Sequence, residues 1–192
     1  ECLAPADAAA LREEAARVIS GGSLASNAVL RQVGDDWEIL GDPTEAAFLV
    51  AERKLGGTAT REDRFTRIGQ VPFTSQRKIM STIEIDHARD DERVLVTKGA
   101  PDVLLKKCTQ VRAGPETVPL TSEVRQQILL DVEAMSADAL RTLAVAYRPL
   151  TLAELGEEGP NEGPRSSVET ELAQTLEHDL IFAGTVGLIA PA

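Results

Sequence analysis

Apolar side chains recur along this chain with two periods, one near 3.6 residues and one of two. Residues 6–19 are alanine-rich and carry Leu11, Ala15, Val18 and Ile19 at helical spacing, which predicts a first helix stopped by Gly21-Gly22. Val29 to Val33 and Trp37 to Leu40 predict two strands around the turn residues Gly34-Asp35-Asp36. Asp42-Pro43-Thr44-Glu45 then opens a helix carrying Ala46, Leu49, Val50 and Arg53. Asp42 is placed as N-cap, Pro43 in the first turn and Glu45 to close a capping box, with Gly56-Gly57 as the stop.

The middle of the chain reads as strands at 67–73, 79–85 and 93–97, with alternation in Met80, Thr82, Glu84 and in Val94, Val96. A polar connection, 87–92, predicts a hairpin loop between the last two. A short helix follows over 101–107 and a longer one over 121–138, with Val124, Ile128, Val132 and Met135 on one face. Residues 141–150 predict a strand in which Leu143, Val145 and Tyr147 alternate with Ala144 and Ala146, and 179–189 a final apolar strand. Residues 154–167, rich in Glu, Gly and Pro, predict a solvated, flexible loop. Strand pairs joined by short turns, with helices between them, predict an α+β domain: an antiparallel sheet with helices packed on its faces. No internal repeat is present.

Length and charge narrow the function. A chain of 192 residues with 43% apolar content suits one compact domain with its own core, spanning 1–192. No run approaches the roughly 18–20 apolar residues of a membrane span, so no direct membrane contact is expected. The net charge of −11 argues against nucleic acid and anionic lipid as partners, since both need clustered cations. Cys2 and Cys108 give neither a disulfide framework nor zinc spacing, and fit a reducing, cytosolic setting. His87 and His178 lack a neighbouring ligand set, so no metal site is expected. Glu1-Cys2-Leu3-Ala4-Pro5 does not resemble a signal peptide and reads as a cut within a longer chain.

Two segments could carry chemistry. In 71–81, Phe73 precedes the polar run Thr74-Ser75-Gln76-Arg77-Lys78; such a ring is either core or a platform for a base. Lys78 is either a strand-guarding surface charge or a ligand cation. In 98–102, Lys98 closes a strand, Gly99 permits close backbone approach, and Pro101 opens a helix whose first N–H groups favour an anion. Glu45 already has a capping role, and Arg141 reads equally as a strand-edge charge. Walker, dinucleotide-binding and kinase loops are absent, as are a nucleophile elbow and a glycosidase carboxylate pair. The residues by themselves point to an acidic α+β domain with a candidate adenine-nucleotide pocket.

Four segments, in order, give that pocket a family. Gly41-Asp42-Pro43-Thr44-Glu45-Ala46-Ala47 resembles the G-[DE]-x-T-E-x-A segment of type-II P-type cation-transporting ATPases. Pro72-Phe73 through Lys78 and Ser81 resembles their P-F-x-x-x-x-K-x-x-S strand. Lys98-Gly99-Ala100-Pro101-Asp102 resembles K-G-A-P-E, with Asp for Glu. Leu140-Arg141-Thr142-Leu143-Ala144-Val145-Ala146 resembles L-R-x-L-A-x-A. The resemblance extends from Asn27-Ala28 to the last strand.

It implies the nucleotide-binding domain of a cation pump, calcium- or sodium–potassium-pump-like and bacterial in flavour, cytoplasmic within an integral membrane protein. Phe73 would stack on adenine, and Glu45 would sit near the adenine amino group. Lys98 would line the back of the pocket and Gly99 would admit the base, with Ala100 and Thr44 as wall. Lys78 and Arg141 would face ribose and phosphates, and Met80 and Leu143 would pack the base from the side. ATP is the implied ligand, with Mg²⁺ held mainly outside this domain. The phosphorylation and actuator domains of the parent pump are the implied partners. The D-K-T-G-T segment with the phosphorylated aspartate is absent, as are the other phosphorylation-domain segments and the actuator Thr-Gly-Glu. No catalytic residue is therefore expected in this chain. After the last strand the family has D-P-x-R, where this sequence reads Ala190-Pro191-Ala192. An exposed pocket with one stacking ring predicts weak binding, on the order of 0.1–1 mM. Two other readings are a docking module of this fold without nucleotide affinity, and an unrelated enzyme using the many carboxylates.

Overall fold

The computed structural model describes residues 5–155 and 175–189. Its centre is a seven-stranded sheet. The strands are β3 (Phe65–Val71), β4 (Ile79–Asp86), β5 (Glu92–Gly99), β6 (Cys108–Ala113), β7 (Glu116–Pro119), β8 (Leu140–Leu150) and β9 (Leu180–Ile189). They lie in the order β3-β4-β5-β8-β9-β6-β7, antiparallel throughout except for the parallel β6–β9 pair. A separate hairpin joins β1 (Val29–Val33) to β2 (Asp36–Leu40).

Helices cover both faces, as the α+β expectation requires. On one face lie α1 (Pro5–Leu24) and α2 (Pro43–Leu55). Leu24, Ala25 and Phe48 there bury Met80, Val96 and Val145. On the other lie α4 (Pro101–Leu104), a 3₁₀ turn (Leu105–Lys107) and α5 (Ser122–Ala137). They cover Ile79, Ile83, Leu95, Ala144, Ala146 and Leu150. Two short helices, α3 (Thr58–Arg64) and α6 (Leu152–Leu155), complete the described chain.

Local signals held where they act locally. Asp42 caps α2, accepting the Thr44 amide at 2.7 Å, and Gly56 ends the helix in the left-handed region at φ 79°. Thr121 caps α5 through the Val124 amide.

Other expectations are corrected. Gly21 and Gly22 do not stop α1, which runs through them to Leu24. They are close-approach residues: a Cβ on Gly22 would lie 2.1 Å from a Phe48 ring carbon, and one on Gly21 would lie 2.8 Å from a Val145 methyl. Glu45 does not close the capping box, because its carboxylate turns to Asn27 and Lys98 instead. The buried face of α2 is Ala46, Phe48 and Glu52. β3 ends at Val71, which leaves Pro72 and Phe73 in the following turn. α3, β6 and β7 are elements the apolar pattern did not announce. α3 docks onto α2 through Arg61 and the buried Glu52 at 2.8 Å. The polar residues of β4 do not face solvent: Thr82 and Glu84 are buried, and Glu84 pairs with Arg67 at 3.2 Å. Of the expected loop 154–167, Glu154 and Leu155 belong to α6 and the rest lies outside the described residues.

Candidate functional site

Strand register brings most of the predicted residues to one end of the sheet. Ile79 opposes Gly99, Met80 opposes Lys98, and Lys98 opposes Val145. The start of β4, the end of β5 and the start of β8 therefore meet. Met80, Lys98, Leu143 and Arg141 share the face that carries α1 and α2, because side chains alternate along a strand. Leu143 packs partly buried against the core beneath α2. Arg141 is exposed, and its charge acts on Asp42 at the start of α2.

Lys98 is the centre of this arrangement. It is 4% exposed, and its ammonium donates to the Gly22 carbonyl at 3.2 Å. It lies 3.6 Å from a Glu45 carboxylate oxygen and 5.1 Å from the centroid of the Phe48 ring. Burial drives its pKa down to about 8, although Glu45 favours the charged form. An ammonium carries three donors, and these partners leave it capacity for another acceptor. Glu45 is held in turn by the Asn27 amide at 2.9 Å and the Ser26 hydroxyl at 3.5 Å.

Gly99 is required by the backbone itself. A Cβ there would collide with the Lys78 carbonyl oxygen and lie 2.7 Å from the Ile79 Cα. The same Lys78 carbonyl accepts the Ala100 amide at 3.0 Å, which locks the turn before β4 onto the end of β5. α4 is a single turn, and its Val103 and Leu104 amides bond to the Ala100 carbonyl.

Phe73 and Lys78 sit on the 72–78 turn at this end of the sheet. Phe73 is 55% exposed, an uncommon state for an apolar ring beside a core. Lys78 is exposed and adopts φ 59°, a left-handed conformation rare for lysine. A planar ring at the rim, two exposed cations and a buried ammonium form a donor set that suits a base with a phosphate tail. Phe48, which lies under Lys98, was missed by sequence reasoning because only the helix register against α1 reveals it. A cleft of about 230 Å³ beneath the β1–β2 hairpin, lined by Ser23, Trp37, Arg53, Arg61 and Arg67, contains none of the predicted residues.

The family described as P-type ATPase, cytoplasmic domain N, matches residues 14–192. The chain belongs to this family. As an N domain it is similar to a calcium-transporting ATPase of Lactococcus lactis, with 34% identity over 80% of this chain. It is similar to one of Bacillus cereus at 36% over 79%, and to the calcium-transporting ATPase type 2C member 2 of rat at 28% over 85%. It spans 16%, 15% and 17% of the length of these relatives, respectively. Among the described residues of this N domain, no helix is long and apolar enough to cross a membrane.

Proposed function

We propose that this N domain binds ATP at the β4–β5–β8 end of the sheet, with adenine on Phe73. The observation that carries the reading is Lys98, a buried cation with spare donor capacity at the end of the sheet where Phe73, Lys78 and Arg141 also lie. Glu45 and Lys98 form the back of the pocket, Gly99 and Ala100 its wall, and Met80 and Leu143 its apolar side. Lys78 and Arg141 take the phosphates.

In the parent pump, the bound nucleotide is carried to the aspartate of a separate phosphorylation domain. This chain contributes positioning rather than bond chemistry. Mg²⁺ travels with the nucleotide and is held mainly outside this domain. The phosphorylation and actuator domains are its partners, and the whole chain 1–192 forms one domain on the cytoplasmic side of a cell membrane. The relatives' names make calcium the cation to test first.

The test is an NMR titration of the labelled chain with ATP, AMP and GTP, repeated on Phe73→Ala. Saturable shifts at Phe73, Lys98, Gly99 and Arg141 that prefer adenine and need about tenfold or more ATP to saturate in Phe73→Ala are the expected result. No shift up to about 10 mM ATP, ~10-fold above a millimolar Kd, would overturn the reading and favour a docking module.

A further inference from the structure

The pocket residues do not explain what fixes the 72–78 turn. Phe73 is too exposed for core packing to set its position, so the turn backbone must do so. Within the turn, the Lys78 amide donates to the Thr74 carbonyl at 2.8 Å and the Arg77 amide to the Thr74 hydroxyl at 3.1 Å. Arg77 then reaches outward in two directions. One nitrogen donates to the Pro72 carbonyl at 2.7 Å, immediately before Phe73, and the other pairs with Glu177.

Glu177 lies a hundred residues further along the chain, just before β9. Its carboxylate is 2% exposed and fully engaged. Oε1 takes Arg77 and the Ser81 hydroxyl at 2.6 Å, while Oε2 lies 3.5 Å from the Lys107 ammonium. Ser81 is bonded in turn to Thr97 on β5 at 2.9 Å. One carboxylate thus ties the turn to β4, β5 and the 3₁₀ turn. The guanidinium is suited to this bridge, because its rigid fork offers separate donors to two acceptors.

We propose that Glu177 is a positioning residue for nucleotide binding, acting through Arg77 to hold the turn that presents Phe73. The inference rests on the reading that this chain binds ATP at Phe73. Glu177 touches neither base nor phosphate; its effect is to keep the ring where stacking needs it. A buried carboxylate with two cations resists displacement, since breaking the set strands a charge.

The test is a double-mutant cycle on the 192-residue chain, with ATP affinity read by NMR titration and turn order by amide hydrogen exchange at 73–78. Glu177→Gln is expected to weaken ATP about tenfold, within what a stacking ring contributes, and to speed exchange in the turn. In a Phe73→Ala background, where affinity is read at high ATP, Glu177→Gln should cause no further loss. Arg77→Gln, which cuts the same link from the turn side, should reproduce both effects and serves if Glu177→Gln does not fold. Losses that add in the double variant, or a turn that stays ordered, would overturn the inference while leaving ATP binding intact. A wild-type chain that does not bind ATP would overturn the nucleotide reading itself, and the inference with it.

Discussion

Lys98 and Glu45 form an ion pair across the interface between sheet and helix, with Nζ 3.6 Å from Oε1. The lysine comes from β5 and the glutamate from the first turn of α2, so the pair fixes α2 against the strand end where the candidate site lies. Burying the ammonium costs free energy that one carboxylate and one carbonyl only partly return, which is why its pKa falls to about 8. On the proposed reading, that cost is incurred for nucleotide binding rather than for stability.

Lys98→Met should therefore separate the two. We expect ATP affinity to fall by about tenfold or more, as for loss of a charged hydrogen bond. Stability should fall, but by less than the roughly 3–5 kcal/mol of a fully buried pair broken at one partner, because Glu45 is 18% exposed and keeps the Asn27 amide. Calorimetric titration and urea unfolding of the same sample check both. A large loss of stability would make the pair structural.

Gly22→Ala should destabilise the fold. In an isolated helix this change gains about 0.5–1 kcal/mol. Here the added Cβ would lie 2.1 Å from a Phe48 ring carbon, and Phe48 is fully buried, so the ring has little room to move. We expect a net loss of about 1–3 kcal/mol, as for an overpacked core, measured by urea unfolding. Truncating the ring in Gly22→Ala/Phe48→Leu should recover part of it.

That glycine also shows where the sequence was legible and where it was not. α2 could be placed because Asp42, Pro43 and Gly56 signal through bonds to their own neighbours. The end of α1 could not, because Gly21 and Gly22 answer to Val145 and Phe48, which are distant in sequence. The same division holds at the site. Lys98 and Gly99 were legible at a strand end before Pro101. Glu45 was misassigned, since a local capping box lost to the Asn27 amide and Lys98. α3 and the β6–β7 hairpin carry little apolar periodicity, and Glu177 gave no signal because its partners Arg77 and Ser81 are about a hundred residues away.

Gly99→Ala should loosen the β4–β5 junction whether or not nucleotide is present. The new Cβ meets the Lys78 carbonyl oxygen and the Ile79 Cα, both backbone, so no side chain can yield. We expect a loss of about 1–3 kcal/mol and faster amide exchange at Ala100, whose hydrogen bond ends on that carbonyl. If stability is unchanged and only ATP binding suffers, the glycine serves ligand approach instead.

Cys108 should be inert in the folded chain. Burial pushes its thiol up to about 12 against the opposing charge of Arg125, and its Sγ donates to the Leu104 carbonyl at 3.2 Å. In a Cys2→Ser variant, a chromogenic disulfide reagent at neutral pH should react only as fast as the protein opens. Rapid reaction under native conditions would show that this end of the α4–β6 core is looser than its packing implies.

The pH response of Lys98 should have opposite signs for binding and for folding. Burial lowers the folded pKa from the ordinary lysine value of 10.5 to about 8, while Glu45 and Asp42 oppose the shift and Arg67 reinforces it. For binding, the charged form is the stronger hydrogen-bond donor at the back of the pocket, and the field of a polyanion held by Lys78 and Arg141 raises its pKa further. ATP affinity should therefore be flat from neutrality to just below pH 8 and fall above it, by up to about tenfold per pH unit. For folding, the unfolded chain binds the extra proton between about 8 and 10.5, so Lys98 makes stability rise with pH across that window. The slope approaches 1.4 kcal/mol per pH unit at most. Other groups also titrate in this range, so the quantity to measure is the difference between wild type and Lys98→Met, by calorimetry and urea unfolding at matched pH. Opposite slopes that both vanish in the variant establish Lys98 as the titrating group, whereas profiles that persist in Lys98→Met assign the titration elsewhere.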